Sequence, residues 1–350
     1  MTAIPAPADT TVGRIYRLHA QRARDGRMRP YLGWSEIGEE CDRALWLRFR
    51  WAEFEDIEGR IARLFDTGHR EEARVLEELR AIGCTVWDRD EEGNQFGVAS
   101  LGGHFQGHLD AVVEGLPEAP KTPHLVDVKT IKRKKMDELV KKGMRAVFPK
   151  YWAQAHGYMG HAKLTRAMFI FVCKDDDEIH VERFAFEKAE LERFEKRAAA
   201  VIFAATPPAG ISRDPAWFAC KFCRFHGQCH GTTAPLVNCR TCVHSTPVAD
   251  GTWRCERHGL ELAGFDPCAD HRFIPVLLSK FAEATDADGE RNTVTYKNLL
   301  TGVTFTNGAP PDALASHEIR DANDKRILGQ ENVDPQLAAI RKEFGGTYAG

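Results

Sequence analysis

At 350 residues, 43% of them hydrophobic, the chain is long enough to bury a full core and to carry one or two small modules besides. Its apolar runs, such as Ala167 to Cys173, are too short to span a bilayer, and residues 1–12 lack the basic and apolar regions of a secretory leader. A formal net charge of −3 excludes a uniformly basic nucleic-acid coat, and the whole reads as a cytoplasmic protein without a membrane partner.

Residues 1–12 are rich in Pro and Ala and read as a disordered start. Residues 13–55 read as helical, with Leu45, Trp46, Leu47 and Phe49 gathered near Cys41. From Arg60 to Ile82, apolar residues recur at helical spacing, and Gly83 ends that helix. Short strands are expected at Cys84–Trp87, Gln95–Ala99, His104–Glu114 and His124–Thr130, with Pro117, Pro120 and Pro123 marking the loop before the last. Helices follow at Met136–Ala146 and, opened by Pro149, at Tyr151–Lys163. Arg166–Lys174 and Glu178–Phe186 form a hairpin turned by Asp175-Asp176-Asp177, and the helix Glu187–Ala205 stops at Pro207-Pro208. Residues 276–350 carry a weaker pattern, with a small hairpin at Thr293–Tyr296 and Val303–Thr306.

Within this frame, Leu125-Val126-Asp127-Val128-Lys129 alternates. Period two places Asp127 and Lys129 on one face of a strand. Asp110 lies similarly in His108-Leu109-Asp110-Ala111-Val112-Val113. Carboxylates on apolar strands are costly unless paired or bound to a cation. A shared Mg²⁺ or Mn²⁺ on Asp110 and Asp127 meets that need, would activate a water, and leaves Lys129 to position that water or stabilise the transition state. Taken alone, Asp-x-Lys also fits a strand-borne ion pair. Further along, Gln154 and Tyr158 share one helical face at i,i+4. Two basic stretches flank the acids: Arg14 to Arg29 holds six Arg against one acid, and Lys129 to Lys150 nine Lys/Arg against two. Within the second, Lys132, Arg133, Lys134 and Lys135 follow the strand directly and are candidate DNA-phosphate contacts.

The cysteines divide by position. Cys84 and Cys173 lie in apolar, strand-like runs and read as core thiols. Seven of the ten crowd into residues 220–268 at metal-site spacings, which in a reducing compartment argue against disulfides. Cys220-x2-Cys223-x5-Cys229 is one set. Cys239-x2-Cys242, Cys255-x2-His258 and Cys268-x2-His271 are the other. There, Cys239, Cys242, Cys255 and Cys268 make the best tetrahedral Zn²⁺ set, with His258 or His271 able to replace either later cysteine. Residues 236–275 are too short for an apolar core of their own, so metal would supply their folding energy.

The order Gly68-His69-Arg70-Glu71-Glu72, Asp110, Asp127-Val128-Lys129, Gln154-Ala155-His156-Gly157-Tyr158 resembles the PD-(D/E)xK nuclease superfamily in its RecB-type exonuclease branch. The resemblance covers roughly residues 30–230. It implies a mixed central sheet flanked by helices, the restriction-endonuclease-like core. It makes Asp110 and Asp127 metal ligands, Lys129 the catalytic lysine, and Gln154 and Tyr158 site or DNA contacts. Many members carry His four residues after the glycine. This chain has Glu72 there, as phage-type exonucleases do, which favours Glu72 as third ligand with His69 as competitor. Cys41 with Cys220, Cys223 and Cys229 is similar to the iron–sulfur subgroup that includes the CRISPR-adaptation nucleases and AddAB-type helicase–nuclease subunits. In that subgroup, one early and three late cysteines hold a 4Fe–4S cluster. The segment Cys41-Asp42-Arg43-Ala44-Leu45-Trp46 has one residue more before its aromatic than the subgroup's pattern. On spacing alone, zinc on the same four cysteines is the alternative.

The expected organisation is a start at 1–12, an α/β nuclease domain with its iron–sulfur site at 13–235, a zinc module at 236–275 and a small β or irregular region at 276–350. The expected function is Mg/Mn-dependent DNA exonuclease action that resects ends in recombination or repair. DNA is the partner, with a helicase or recombination protein beside it, and the appended module and Glu72 point to a phage or prophage origin. The alternative is a catalytically silent DNA-binding scaffold with two metal-stabilised modules. An iron–sulfur oxidoreductase is disfavoured by the lack of a dinucleotide-binding Gly-x-Gly-x2-Gly.

Overall fold

A computed structural model describes residues 9–24, 28–54 and 57–322. The chain runs α1 (Thr11–Arg24), β1 (Leu32–Gly33), α2 (Asp42–Phe49), α3 (Gly59–Ala81), β2 (Thr85–Trp87), β3 (Gly97–Ser100), β4 (Phe105–His108), β5 (Ala111–Glu114) and β6 (His124–Ile131). Next come α4 (Arg133–Lys142), α5 (Met144–Val147), α6 (Pro149–His161), β7 (Arg166–Cys173), β8 (Ile179–Ala185) and α7 (Lys188–Ile202). Two short helices, α8 (Phe218–Lys221) and α9 (His226–His230), lead to β9 (Ser245–Pro247), β10 (Trp253–Cys255) and β11 (Leu260–Glu261). The described chain ends with β12 (Ala282–Asp288), β13 (Thr293–Asn298), β14 (Thr304–Asn307) and α10 (Ser316–Ala322).

The central sheet has five strands in the order β2-β5-β6-β7-β8. Only β6 and β7 are parallel, and the chain crosses between them through α4, α5 and α6. A parallel strand covered on both faces needs apolar residues at every position. β7 obeys this rule, with everything from Ala167 to Cys173 buried, whereas the outer strand β8 has no buried residue. The alternation of β6 sorts its side chains onto two layers. Leu125 joins Trp46, Phe169, Phe171 and Phe194 on the α2, α6 and α7 side. Val126 and Val128 join Val75, Leu76 and Leu79 of α3 on the other. Each such side chain, fully buried, stabilises the fold by about 1.5–3 kcal/mol before entropy is counted.

The expected strand His104–Glu114 is two strands in different sheets. β4 pairs with β1 and β3, while β5 belongs to the central sheet, and the chain changes sheet at Leu109 and Asp110. Alternation runs unbroken through the switch, because Phe105, Gly107, Leu109, Ala111 and Val113 are all buried. Periodicity therefore cannot see it. The expected helix Met136–Ala146 is likewise divided, at Gly143, whose φ of +74° ends α4. Within the stretch expected to be helical from 13 to 55, Leu32 and Gly33 instead extend to pair with Phe105 and Gln106. The expected disordered start lies outside the described residues through residue 8, and α1 already begins at Thr11. Towards the C-terminus, β12 joins the expected hairpin as a third strand. It escapes a reading by pattern because most of its side chains are exposed and polar. No helix among the described residues is long and apolar enough to cross a membrane.

The Cys/His segment is not self-contained. Trp253 and Phe265 pack into the main core, while Val294, Tyr296, Phe305 and Ile319 build a separate small one. Arg240 is the fastener. Its guanidinium lies 4.1–5.3 Å from the ring centroids of Phe49, Trp51, Trp253 and Phe265. It donates to the carbonyls of Phe49 and Pro30 at 2.8 and 2.7 Å.

Candidate active site and cysteine clusters

Four elements meet at the sheet switch. Asp127 and Lys129 project from β6, Asp110 from the β4–β5 break, Glu72 from α3, and Gln154 and Tyr158 from α6. Asp127 is fully buried, and its Oδ1 contacts the Lys129 ammonium. Lys129 Nζ is also 3.6 Å from Asp110 Oδ2, and that oxygen accepts from the Val128 amide at 3.4 Å. Gln154 Nε2 donates to Asp127 Oδ2 at 3.2 Å. Tyr158 is buried against Gly107, where a Cβ would come 2.4 Å from the Tyr158 ring, so only glycine lets β4 approach α6 here.

The electrostatics are lopsided. Burial pushes the Asp127 carboxyl up to about 7, assisted by the negative charges of Asp110 and Glu72 and opposed by Lys129. Burial and Asp110 likewise raise Glu72 to about 7. Burial also acts against the charged form of Lys129, but the facing carboxylates of Asp127 and Asp110 outweigh it and hold the ammonium above its ordinary value. Tyr158 is raised by burial first, then by Asp127 and Asp110. Glu72 thus shares the field of the two aspartates, while His69 is exposed on α3. Tyr151 is a member of the site that sequence reading missed. Its ring centroid lies 5.4 Å from Lys129 Nζ, and it shares the α6 face of Gln154 and Tyr158 at positions i, i+3 and i+7. That spacing was its available signal.

The basic run is partly occupied. The Arg133 side chain pairs with Asp176 and, at 2.8 Å, with Glu178, while its amide donates to Asp175 at 2.8 Å. The acidic hairpin turn therefore holds it. Lys135 pairs with Glu138 at 2.7 Å, and Lys132 and Lys134 are exposed.

Each cysteine set shares one space. Cys41, at the start of α2, and Cys220, Cys223 and Cys229, on and around α8 and α9, line a cavity of about 660 Å³. Burial raises the Cys223 and Cys229 thiols, and Cys41 adds to both shifts. Cys239, Cys242, Cys255 and Cys268 line a second, much smaller cavity. There burial pushes Cys239 up to about 11, and the other three cysteines add to the shift. His258 Nε2 is 3.6 Å from Cys268 Sγ. His271 is engaged elsewhere, with Nδ1 2.8 Å from Ser316 Oγ and Nε2 3.0 Å from the Asn238 carbonyl. Burial holds it down to about 4, in the neutral form. Among the described residues, no group of three or more His, Cys, Asp or Glu is closed into a ready-made metal-ion site. The thiols and the three carboxylates converge without reaching that state.

A comparison with protein families matches residues 14–230 to the PD-(D/E)XK nuclease superfamily. The chain belongs to this superfamily. The matched stretch holds Glu72, Asp110, Asp127, Lys129, Gln154 and Tyr158, and it ends just past Cys229. No curated protein matches the chain by sequence. Among solved structures, the chain is similar to SSO0001, at 11% identity and a TM-score of 0.39 over 63% of this chain and 96% of that one. It is also similar to the alkaline exonuclease LHK-Exo from Laribacter hongkongensis, at 14% identity and 0.36 over 53% and 90%. A third is a phage-related exonuclease from Haemophilus somnus 129PT, at 13% identity and 0.32 over 48% and 78%.

Proposed function

We propose that this superfamily member is a divalent-metal-dependent DNA exonuclease that resects DNA ends in recombination or repair. The observation that carries the reading is the charge imbalance of the site, where Asp110 and Asp127 share the one ammonium of Lys129 and Glu72 adds a third carboxylate whose pKa the same groups perturb. Ionised, the carboxylates leave excess negative charge in a largely buried place, which is costly without a cation. Their oxygens suit Mg²⁺ or Mn²⁺, which when bound supplies an acidified water and charge stabilisation at the phosphate. The chain does the rest. Gln154 holds one oxygen of Asp127, which fixes where the other points. The Tyr151 ring and the two aspartates hold the Lys129 ammonium beside the site, where it can meet a scissile phosphate.

End-labelled linear DNA should be degraded with Mn²⁺ while closed circular DNA survives, and EDTA or Asp110→Ala should abolish the degradation. Cutting of the circle would overturn the exonuclease reading. Inertness of the wild type with either metal would favour a silent DNA-binding scaffold. A helicase or recombination protein as partner and a phage or prophage origin belong to the same reading.

In this reading residues 13–235 are the nuclease unit, residues 236–275 a zinc module and residues 276–350 a small β or irregular region. Cys41, Cys220, Cys223 and Cys229 hold a 4Fe–4S cluster that clips the start of α2 to the chain beyond the central sheet. Cys239, Cys242, Cys255 and Cys268 hold Zn²⁺. Two of three neighbouring buried guanidiniums, Arg50 and Arg272, support a thiolate at Cys242, whose negative charge favours their charged forms. Arg50, Arg240 and Arg272 are 1–2% exposed, bond to backbone carbonyls, and form no ion pair among the described residues. Burial lowers Arg50 to about 10 and Arg240 to about 9, and negative charge on Cys242 favours the charged form of Arg50. Four thiolates around Zn²⁺ carry a net double negative charge, which offsets buried cations of this kind. Elemental analysis of anaerobically prepared protein should find both iron and zinc. Two zincs and no iron would overturn the cluster.

A further inference from the structure

The loop that carries the late cysteines interleaves them with aromatic and basic residues: Trp217-Phe218-Ala219-Cys220-Lys221-Phe222-Cys223-Arg224-Phe225. The nuclease reading uses only the cysteines. Phe218 is 78% exposed, Phe222 71% and Trp217 51%. The two phenylalanine rings meet edge to face at 5.4 Å, and Lys221 Nζ lies 5.6 Å from the Phe222 centroid. Aromatic side chains this exposed, adjacent and charge-flanked are costly to present to water and fit a flat, π-faced ligand with negative charge beside it.

The platform shares a cavity with one residue of the candidate site. Phe222 forms part of the wall of the 660 Å³ cavity, and Lys150 and Tyr151 line the same cavity. Tyr151 is the residue whose ring lies against Lys129. The cavity wall includes Arg43 and Lys150 together with Glu39, and Glu39 is neutralised by Arg48 at 3.0 Å and Lys150 at 2.8 Å. The platform therefore stands at a cavity whose lining also includes Tyr151, the aromatic neighbour of Lys129.

We propose that Phe218 and Phe222 form a stacking site for unpaired DNA bases, with Lys221 and the cavity rim taking the flanking phosphates. Bases stack on aromatic side chains without sequence preference, and each stacked base contributes about 1–3 kcal/mol, or about 5- to 150-fold in affinity. Bases inside a duplex are stacked on both faces and do not use the site. This inference rests on the reading that the carboxylate site acts on DNA, and its test is independent of cleavage.

The test compares full-length wild-type protein with Phe218→Ala/Phe222→Ala by fluorescence anisotropy in buffer without added Mg²⁺ or Mn²⁺, where no cleavage takes place and the zinc module stays intact. The probes are a labelled oligothymidylate, an abasic strand of the same length, and a blunt duplex. The alanine variant should bind the oligothymidylate about 5- to 150-fold more weakly for each base it no longer stacks. Its affinity for the abasic strand and the duplex should be unchanged. Phe218→Tyr/Phe222→Tyr keeps both rings and should restore binding, which separates stacking from a folding defect. An undiminished affinity for oligothymidylate, or an equal weakening on the abasic strand, would overturn the proposal. So would wild-type self-association that the alanine variant abolishes, because the rings would then be an interface between copies of this chain. A failure of the nuclease reading looks different: no DNA is cut with Mn²⁺, while the contrast between thymidylate and abasic strands persists.

Discussion

The raised carboxyls of Glu72 and Asp127 make metal binding a proton-releasing event, and its pH dependence can be worked out beforehand. Both groups are pushed up to about 7, by burial first and by Asp110 next. A carboxyl with that pKa is about nine-tenths protonated at pH 6 and about one-tenth at pH 8. A cation must expel the proton to bind, so each such group weakens the apparent affinity about tenfold between pH 8 and pH 6, or about 1.4 kcal/mol. The two share the field of Asp110 and Lys129 and titrate as a coupled system, so the expected weakening lies between about tenfold and a hundredfold. Carboxyls at ordinary values near 4 would change it by only about 1%. The sign for stability follows from the same shift. With the folded pKa above the unfolded one, the metal-free protein holds this contribution fully below about pH 4 and loses it as pH rises through about 7. Added cation therefore stabilises most on the alkaline side. The assay is calorimetric titration with Mn²⁺ at pH 6, 7 and 8, in two buffers of different ionisation enthalpy so that released protons are counted. An affinity that is flat from pH 6 to pH 8, with no proton release, would refute the account of the site.

In the proposed mechanism Lys129→Ala should lower turnover far more than DNA affinity, because its ammonium lies beside Asp110 and Asp127. Weaker affinity with unchanged turnover in single-turnover and equilibrium-binding measurements would make it one more phosphate contact. If the proposed 4Fe–4S cluster colours anaerobically purified protein brown, Cys41→Ala should bleach it and lower the melting temperature, since Cys41 is the one ligand of the proposed set from the N-terminal half. Unchanged absorbance in the variant would remove Cys41 from the ligands. In the basic run, Lys132→Ala/Lys134→Ala should reduce the salt dependence of duplex binding, by about 0.9 in slope for each DNA phosphate left without its lysine. Arg133→Ala should change that slope little, because Asp176 and Glu178 already hold Arg133. Equal effects would show that the acidic turn releases Arg133 to DNA.

Much of the fold was legible because its causes are local. The β6 alternation, the apolar spacing in α3, Pro149 opening α6 and the Asp175–Asp177 turn are short-range consequences of side-chain chemistry. Asp127 with Lys129, and Gln154 with Tyr158, could be named because the periods 2.0 and 3.6 place each pair on one face, and Glu72 and Asp110 joined them because the order of all six resembles the superfamily that residues 14–230 match.

What the tertiary structure decided is non-local. Leu109 and Asp110 lie at a change of sheet that period-two alternation passes through unmarked, since the same parity is buried in both sheets. Arg133 loses its freedom to an acidic turn more than forty residues away, which no window of sequence around it contains. His271 has the right spacing for a zinc ligand, yet both its ring nitrogens face Ser316 and Asn238 instead. Arg240 reads as an ordinary basic residue between two cysteines until Phe49, Trp51, Trp253 and Phe265 close around it. In each case the residue type and spacing set what the side chain can do. The partner brought to it from far along the chain decided what it does, because burial makes a charge or a ring nitrogen take whichever partner lies within reach.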